Sequence, residues 1–156
     1  MISGEPRLGQ GFYWQDIAAG QRFRTFRRTI TEADLVGFIN VTGMLEAIFI
    51  DAEFSAQEGA IAGRPVPAAL THGLIEGLLF QSMIQGTGLA MLELTLKAVA
   101  PVRVNDTVWA TIEITEVKPT SKQDRAIVSQ QIDIWNQHGE LVITYAAKRM
   151  LAGRPA

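Results

Sequence analysis

Two histidines and a few carboxylates are the side chains that could move a proton in this sequence. His72 stands beside Gly73 in an apolar stretch, whereas His138 lies in a polar segment typical of a hairpin turn. Histidine titrates near neutral pH, so His72 suits acid–base catalysis, although a hydrogen-bonded core histidine is an equally ordinary interpretation. The carboxylates that could assist it are Glu46, Asp51 and Glu76. Each of these carboxylates could instead cap a helix or pair with a cation.

Composition excludes several classes of chemistry. The absence of cysteine excludes disulfides, thiolate metal sites and a cysteine nucleophile. No catalytic Ser/His/Asp set, metal-ligand cluster or phosphate-binding glycine loop is recognisable, so we expect no metal and no cofactor. A net charge of −2 offers no electrostatic footprint for nucleic acid.

Length and the first residues set expectations for domain organisation and location. The 156 residues suit a single domain spanning 1–156, in which the polar, glycine-rich residues 1–11 are expected to be mobile. The chain starts without the basic and then apolar pattern of a signal peptide, so we expect a cytoplasmic protein that does not bind membranes.

The stretch from 68 to 84 predicts a helix at the centre of the fold. Its apolar residues cover nearly the whole circumference at 3.6 residues per turn, which is typical of a buried helix. Gly73 and Gly77 weaken a helix, so we expect another part of the protein to pack closely against the backbone there. The helix start, near His72, would offer amides to a developing oxyanion.

The remaining elements predict an α+β domain. Residues 21–30 read as a strand, Thr31 begins a helix that Gly43 ends, and 52–58 form a short helix. Four strands in a meander follow the central helix, with Leu92, Leu94 and Leu96 on a buried face of the first. The expected architecture is one antiparallel sheet wrapped around one long buried helix.

Five segments in order resemble the MaoC-like dehydratases, the family of the R-specific enoyl-CoA hydratases, over almost the entire chain. The segments are Thr29-Ile-Thr-Glu-Ala-Asp-Leu35, Leu70-Thr-His-Gly-Leu-Ile75, Val99-Ala-Pro-Val102 with Asn105-Asp-Thr-Val108, Lys118-Pro-Thr-Ser-Lys-Gln-Asp-Arg125, and Asn136-Gln-His-Gly-Glu140. The resemblance implies a hotdog fold, a homodimer, and a site for an acyl-CoA or acyl-carrier thioester at the subunit interface. It also implies a lyase that hydrates or dehydrates acyl thioesters.

The catalytic motif of the family is changed in this chain. The family reads Ser-Gly-Asp-x-Asn-Pro-x-His, and its Asp and His activate a water that adds to a 2-enoyl thioester. Here the Asp falls on Met44 and the His on Phe49, and neither side chain can take a proton. We therefore expect ordinary hydratase activity to be weak or absent.

The resemblance leaves a set of replacement residues and three functions. Glu46 and His72 are the candidate catalytic replacements, while Gly73, Thr71 and Asp51 are the candidate substrate-binding residues. By resemblance, the Gly73 amide would bind the thioester carbonyl. The chain could be an enzyme with an altered catalytic pair, a non-catalytic acyl-thioester binding module, or a hotdog thioesterase that uses Asp51 or Glu46.

Overall fold

The computed structural model describes residues 4–155, which form helices on one side of an antiparallel sheet. A short 3₁₀ turn at Trp14–Asp16 precedes the regular elements. The helices are α1 (Glu32–Thr42), α2 (Ala47–Ile50), α3 (Ala52–Gln57) and α4 (Ala68–Phe80). The strands are β1 (Arg22–Arg24), β2 (Arg28–Thr29), β3 (Gly88–Ala98), β4 (Thr107–Pro119), β5 (Arg125–Trp135) and β6 (Leu141–Ala152).

The strand order is β1-β4-β5-β6-β3, with β2 also paired to β4. The predicted meander is right for β4, β5 and β6 and wrong for β3, which pairs with β6 at the opposite end of the sheet. The connection from β3 to β4 spans residues 99–106, long enough to cross the sheet, and Pro101 prevents a regular ladder there. The carbonyl of Val102 accepts a hydrogen bond of 3.0 Å from the Val66 amide, which ties this crossing to the entry of α4.

The core lies between α4 and the inner face of the sheet. Leu70, Ile75 and Leu79 of α4 are each at most 4% exposed. The inner residues of the sheet are the alternating apolar side chains Val108, Ala110, Ile112, Ile114, Val128, Ile132 and Ile134. The alternation predicted for β4 is therefore confirmed, because one face of this strand is buried in the core.

The central helix is shorter than predicted. It ends at Phe80 rather than at 84, and Met83 and Ile84 lie in the turn that follows. Both side chains remain buried, and the Ile84 amide donates to the Leu79 carbonyl at 3.1 Å. Met83 and Ile84 are therefore part of the core although they lie in a turn.

Strand β3 is the edge of the sheet, and its apolar side chains are exposed in the single chain. Leu92 and Leu94, expected to be buried, are 47% and 43% exposed. Leu94 stands opposite Ala147, which is buried, so Leu94 faces the same side of the sheet as the core. The expectation of a buried face fails because α4 does not reach across to this outer strand.

Local capping signals place α1 as predicted. Thr31 Oγ1 accepts from the Asp34 amide at 3.2 Å, and Asp34 Oδ2 accepts from the Thr31 amide at 2.8 Å. Gly43 ends the helix with φ of 74°, a left-handed conformation that favours glycine. Residues 21–30, predicted as one strand, form two short strands on β4 that are separated at 25–27.

The chain before the 3₁₀ turn is held against the end of the core helix. The Gly11 amide donates to the Gln85 carbonyl and the Phe12 amide to the Met83 carbonyl, each at 2.8 Å. The mobility expected for residues 1–11 falls partly on residues 1–3, which lie outside the described residues. Gly11 is buried and makes the first of these backbone contacts.

Candidate functional site

A buried ion pair joins the core helix to strand β6. Arg149 Nη1 donates to Glu76 Oε2 at 2.7 Å, and Arg149 Nη2 donates to Glu76 Oε1 at 2.5 Å. The Arg149 side chain is 3% exposed and that of Glu76 is 11% exposed. The two parallel hydrogen bonds match the planar guanidinium to the carboxylate, so the pair has the geometry of a strong buried contact.

Neighbouring side chains complete the pair. The Tyr145 hydroxyl donates to Glu76 Oε1 at 2.7 Å, and Arg149 Nε donates to Gln130 Oε1 at 2.7 Å. Gln130 is 2% exposed and its amide nitrogen lies 3.5 Å from the sulfur of Met83. We call Glu76, Tyr145, Arg149 and Gln130 the buried polar network. Because buried charges are costly unless fully bonded, these contacts are what makes the pair tolerable in the core.

The network fixes the protonation of its members. Burial alone raises the pKa of Glu76, but the hydrogen bonds and charge of Arg149, together with the Tyr145 hydroxyl, lower that pKa below its usual value. Burial and the negative charge of Glu76 raise the pKa of Tyr145 far above its usual value. At neutral pH Glu76 is therefore an anion and Tyr145 a neutral hydrogen-bond donor.

His72 lies against this network. Its ring meets that of Tyr145 edge to face, with centroids 4.8 Å apart and planes at 81°. His72 Nε2 lies 3.9 Å from Glu76 Oε1, and in the described structure this buried nitrogen has no hydrogen-bond partner. Burial lowers the pKa of His72, Glu76 opposes that effect, and Arg149 adds to it. His72 is thus a neutral imidazole at pH 7.

The exposed side of α4 is lined by small residues. Ala69 and Gly73 are exposed, Gly77 is half-buried, and Phe80 closes the stripe with 52% exposure. We call these residues the open face of α4. A Cβ at Gly73 or Gly77 would meet no atom within 4 Å, so the expected close packing at the two glycines does not occur within the chain. The backbone there is open to a ligand or to another subunit.

The start of α4 carries no side-chain cap. Pro67 precedes the helix and supplies no side-chain hydrogen bond to it. Thr71 is fully buried, and its Oγ1 has no hydrogen-bond partner in the described structure. Gly73 is the sixth helical residue and not a member of the first turn, so its N–H lies among the amides that normally bond within the helix. The amides of Leu70 and Thr71 donate to the Pro67 carbonyl at 3.0 and 3.4 Å, so the amides left free by helix geometry are those before residue 70.

In the structure, Glu46 and Asp51 cap two short helices. Glu46 caps α2, where its Oε2 accepts from the Ile48 amide at 2.8 Å. Asp51 caps α3 through Oδ1, which accepts from the amides of residues 53 and 54 at 3.0 Å each. Within residues 4–155 no hydrogen bond or ion pair links either carboxylate to His72. The capping alternative noted for both carboxylates is the one that the structure displays.

Met44 and Phe49 lie in the segment between α1 and α3. Met44 is 41% exposed just after α1, and Phe49 is half-buried and packs on the core. Arg64 fixes this segment, because its Nη1 donates to the Phe49 carbonyl while its Nη2 bonds Glu32 Oε1 at 2.7 Å. The segment is therefore held in place, and neither Met44 nor Phe49 carries an ionisable side chain.

Sequence reasoning noted Glu76 but did not place it beside His72. The signal was present in part, since residues four apart on a helix lie on one face. Tyr145 and Arg149 are also four apart, which puts them on one face of β6. What sequence could not supply was the packing of β6 against α4, which brings together residues 73 positions apart. Residues 4–155 include no cluster of ligands fit for a metal and no helix long and apolar enough to cross a membrane.

The single sheet folded around α4 defines a hotdog domain, a fold that solved structures of similar proteins share. The family model described as "MaoC like domain" matches residues 16–134, and the chain belongs to this family.

Named relatives agree with that assignment. The chain is 27% identical over 117 residues to a 3-hydroxybutyryl-CoA dehydratase of Methylorubrum extorquens, covering 72% of this chain and 70% of that protein. It is 30% identical over 110 residues to an (R)-specific enoyl-CoA hydratase of Rhodospirillum rubrum, covering 70% and 74%. The solved MaoC-like dehydratase from Rhodospirillum rubrum superposes with a TM-score of 0.82 at 26% identity, covering 94% of this chain and 100% of that one. The expected fold and family are confirmed.

Proposed function

We propose that this protein binds an acyl-CoA-type thioester on the open face of α4 and that His72 is its acid–base group. The observation that carries the proposal is the exposed backbone at Gly73 directly beside His72, the one histidine that the fold places at the core helix. The relatives named for dehydration of 3-hydroxybutyryl-CoA and hydration of enoyl-CoA support the substrate class. In hydration, water gives a hydroxyl to Cβ of the enoyl group and a proton to Cα.

Ordinary hydratase activity is expected to be weak. By family resemblance the water-activating groups would stand at Met44 and Phe49, and neither side chain exchanges a proton. General acid–base assistance contributes about 10² to 10⁴ in rate, so a chain that retains only His72 loses a large part of it. Glu46 and Asp51 do not restore that loss where they stand, since both carboxylates bond helix amides.

A non-catalytic binding module is the second candidate. It is favoured by the segment around the family dyad, which, besides the exposed Glu46, presents four large apolar side chains to solvent. These are Val41, Met44, Leu45 and Ile50, which are 83%, 41%, 54% and 53% exposed. An apolar wall would hold an acyl chain without activating water. A thioesterase, which needs a free carboxylate near the substrate, has less support because Asp51 and Glu46 are engaged as caps.

The chain is further proposed to act as a single domain over 1–156 and as a homodimer. Leu89, Met91, Leu92 and Leu94 are 42% to 51% exposed along β3, an edge strand with unpaired backbone groups. Such an apolar edge is a site for association, and a second copy pairing there would cover it together with Phe80. Leu94→Lys should then shift the mass in light scattering from dimer to monomer, while a parent that is monomeric at all dilutions contradicts the dimer.

Binding and catalysis are tested separately. Calorimetric titration with crotonyl-CoA and with longer 2-enoyl-CoAs should show binding that weakens in Gly73→Val, because a branched side chain fills the open face. Hydration, followed by the loss of enoyl-CoA absorbance, should be slow in the parent and fall at least about tenfold in His72→Ala. No binding at millimolar ligand would refute the proposal. Binding with no turnover at all would favour the module.

A further inference from the structure

We propose that Glu76 is a positioning residue for His72: its buried carboxylate orients the imidazole with the proton on Nε2 and leaves Nδ1 as the free base. The inference deepens the proposed function and rests on it for the role of His72. It assigns a use to the buried polar network, which the binding of a thioester on the open face of α4 does not by itself require.

The first step concerns the unfilled hydrogen-bond capacity of Glu76. A carboxylate offers roughly four lone-pair positions. Three are filled, by two N–H groups of Arg149 and by the Tyr145 hydroxyl. Oε1 accepts two of these bonds and Oε2 accepts one, so the remaining lone pair is on Oε2. The Glu76 oxygen that His72 Nε2 faces, at 3.9 Å, is Oε1, whose negative charge favours a proton on that nitrogen. Because Nε2 is buried without another partner, a proton on it has Glu76 as its acceptor.

The second step concerns distance. A separation of 3.9 Å exceeds a hydrogen bond, which needs about 3 Å between heavy atoms. Catalytic hydrogen bonds are often long without substrate and shorten when ligand binds. Glu76 cannot move to close the gap, since Arg149 and Tyr145 hold both of its oxygens. The movable partner is the imidazole, whose Nε2 has no hydrogen bond within residues 4–155 and whose ring meets that of Tyr145 edge to face.

The third step concerns the charged groups that face His72. Glu76 faces it from its own helix, and Tyr145 and Arg149 face it from β6. Burial and Arg149 favour the neutral imidazole, whereas Glu76 favours the imidazolium that forms when the base has taken its proton. The His72 side chain is 18% exposed, and Nε2 belongs to its buried part. We therefore place the free base, Nδ1, at the exposed part of the ring.

A spectroscopic test reads the tautomer directly in the ligand-free protein. Imidazole ¹⁵N spectra should show His72 as the Nε2–H tautomer, with His138 as an internal control in the same sample. In Glu76→Gln the titration midpoint of His72 should move down, because the anion that opposes desolvation is lost while Arg149 remains. Glu93→Gln, which removes an exposed carboxylate paired to Lys148 at 2.8 Å, should leave both histidines unchanged.

Glu76→Gln strands a buried arginine and could fail to fold, so a second variant carries the test. Tyr145→Phe removes one hydrogen bond from Glu76 Oε1 and keeps the ring that contacts His72. It should raise the His72 titration midpoint, because the freed oxygen lone pair becomes available to Nε2–H. A parent His72 in the Nδ1–H tautomer, or a midpoint unmoved by the folded variants, overturns the inference and leaves the network a purely structural pair.

Kinetics separate this inference from the proposed function. If both hold, Tyr145→Phe alters the pH dependence of kcat with little change in KM, since the thioester contacts stay in place. If the tautomer and midpoint respond as expected but His72→Ala neither slows hydration nor weakens binding, the proposed function fails, and with it the positioning role. If His72→Ala abolishes activity while the tautomer is Nδ1–H, only the positioning role fails.

Discussion

Removing one partner of the Glu76–Arg149 pair should destabilise the protein far more than removing both. Glu76→Gln leaves a guanidinium in a site that is 3% exposed, and an uncompensated buried charge costs about 3–5 kcal/mol. A loss of 1 kcal/mol lowers the Tm of a domain of this size by roughly 2–4 °C, so the Tm should fall by about 6–20 °C. Arg149→Met should cost a similar amount by stranding the carboxylate.

The double variant Glu76→Gln with Arg149→Met removes both charges. Its main cost is the Gln130 carbonyl oxygen, which loses the Arg149 Nε donor and is left unsatisfied at about 1–3 kcal/mol. The double variant should therefore lose less free energy of unfolding than the two single variants together. The coupling energy between the two positions should be at least about 2 kcal/mol.

Urea unfolding followed by tryptophan fluorescence measures all the forms. Lys148→Met with Glu93→Gln provides the matched control, because this ion pair of 2.8 Å joins the neighbouring residue of β6 to β3 on the exposed face. Its coupling should be only about 0–1 kcal/mol. Additive single effects at Glu76 and Arg149, or a control coupling as large as theirs, would show that burial of the pair is not what makes it strong.

Two further outcomes follow from the same side chains. His72 has a folded-state pKa below its usual 6.5, so the stability linked to its neutral form is complete above about pH 6.5 and is lost as the pH falls through the lowered value. His72→Gln should flatten that part of the stability curve in urea titrations, and an unchanged slope would contradict a buried neutral His72. Met44→Asp with Phe49→His should raise enoyl-CoA hydration above the parent when neither single change does, provided that the folded variant still binds ligand. A folded, binding variant without gain would show that the segment no longer places these groups at the substrate.

Sequence predicted the elements whose signals are local. The helix from Thr31 to Gly43 is set by a hydroxyl cap and a left-handed glycine, both of which act within one turn. The two-residue alternation of β4 needs only that one face be buried. The position of β3 could not be predicted, because pairing with β6 rather than β4 depends on how the chain crosses the sheet between 98 and 107.

The sequence predicted the helix that carries the candidate site, but it did not predict which side chains contact His72. The resemblance pointed to His72 and Gly73, and both lie on α4. Glu46 and Asp51 were favoured because they are close in sequence to the family motif. In the structure, each carboxylate caps the N-terminus of a short helix. Each carboxylate caps its helix through one oxygen, and the sequence alone does not distinguish this use from a place at the substrate.

Two regions of the domain differ in the polarity of their side chains: the segment that holds Met44 and Phe49, and the buried pair of Glu76 and Arg149. At Met44 and Phe49, where the resemblance implies the family's catalytic pair, the side chains are apolar and an apolar environment costs nothing. Beneath α4 the chain does the opposite and buries a charged pair where hydrophobic residues of similar volume would serve stability as well or better. A buried ion pair is thus poorly explained by stability alone, and perturbed titration beside an unpartnered imidazole is typical of functional sites. His72 and Glu76 lie on the helix whose open face we propose for the thioester, and this shared helix is the reason for assigning the network a role in acid–base chemistry.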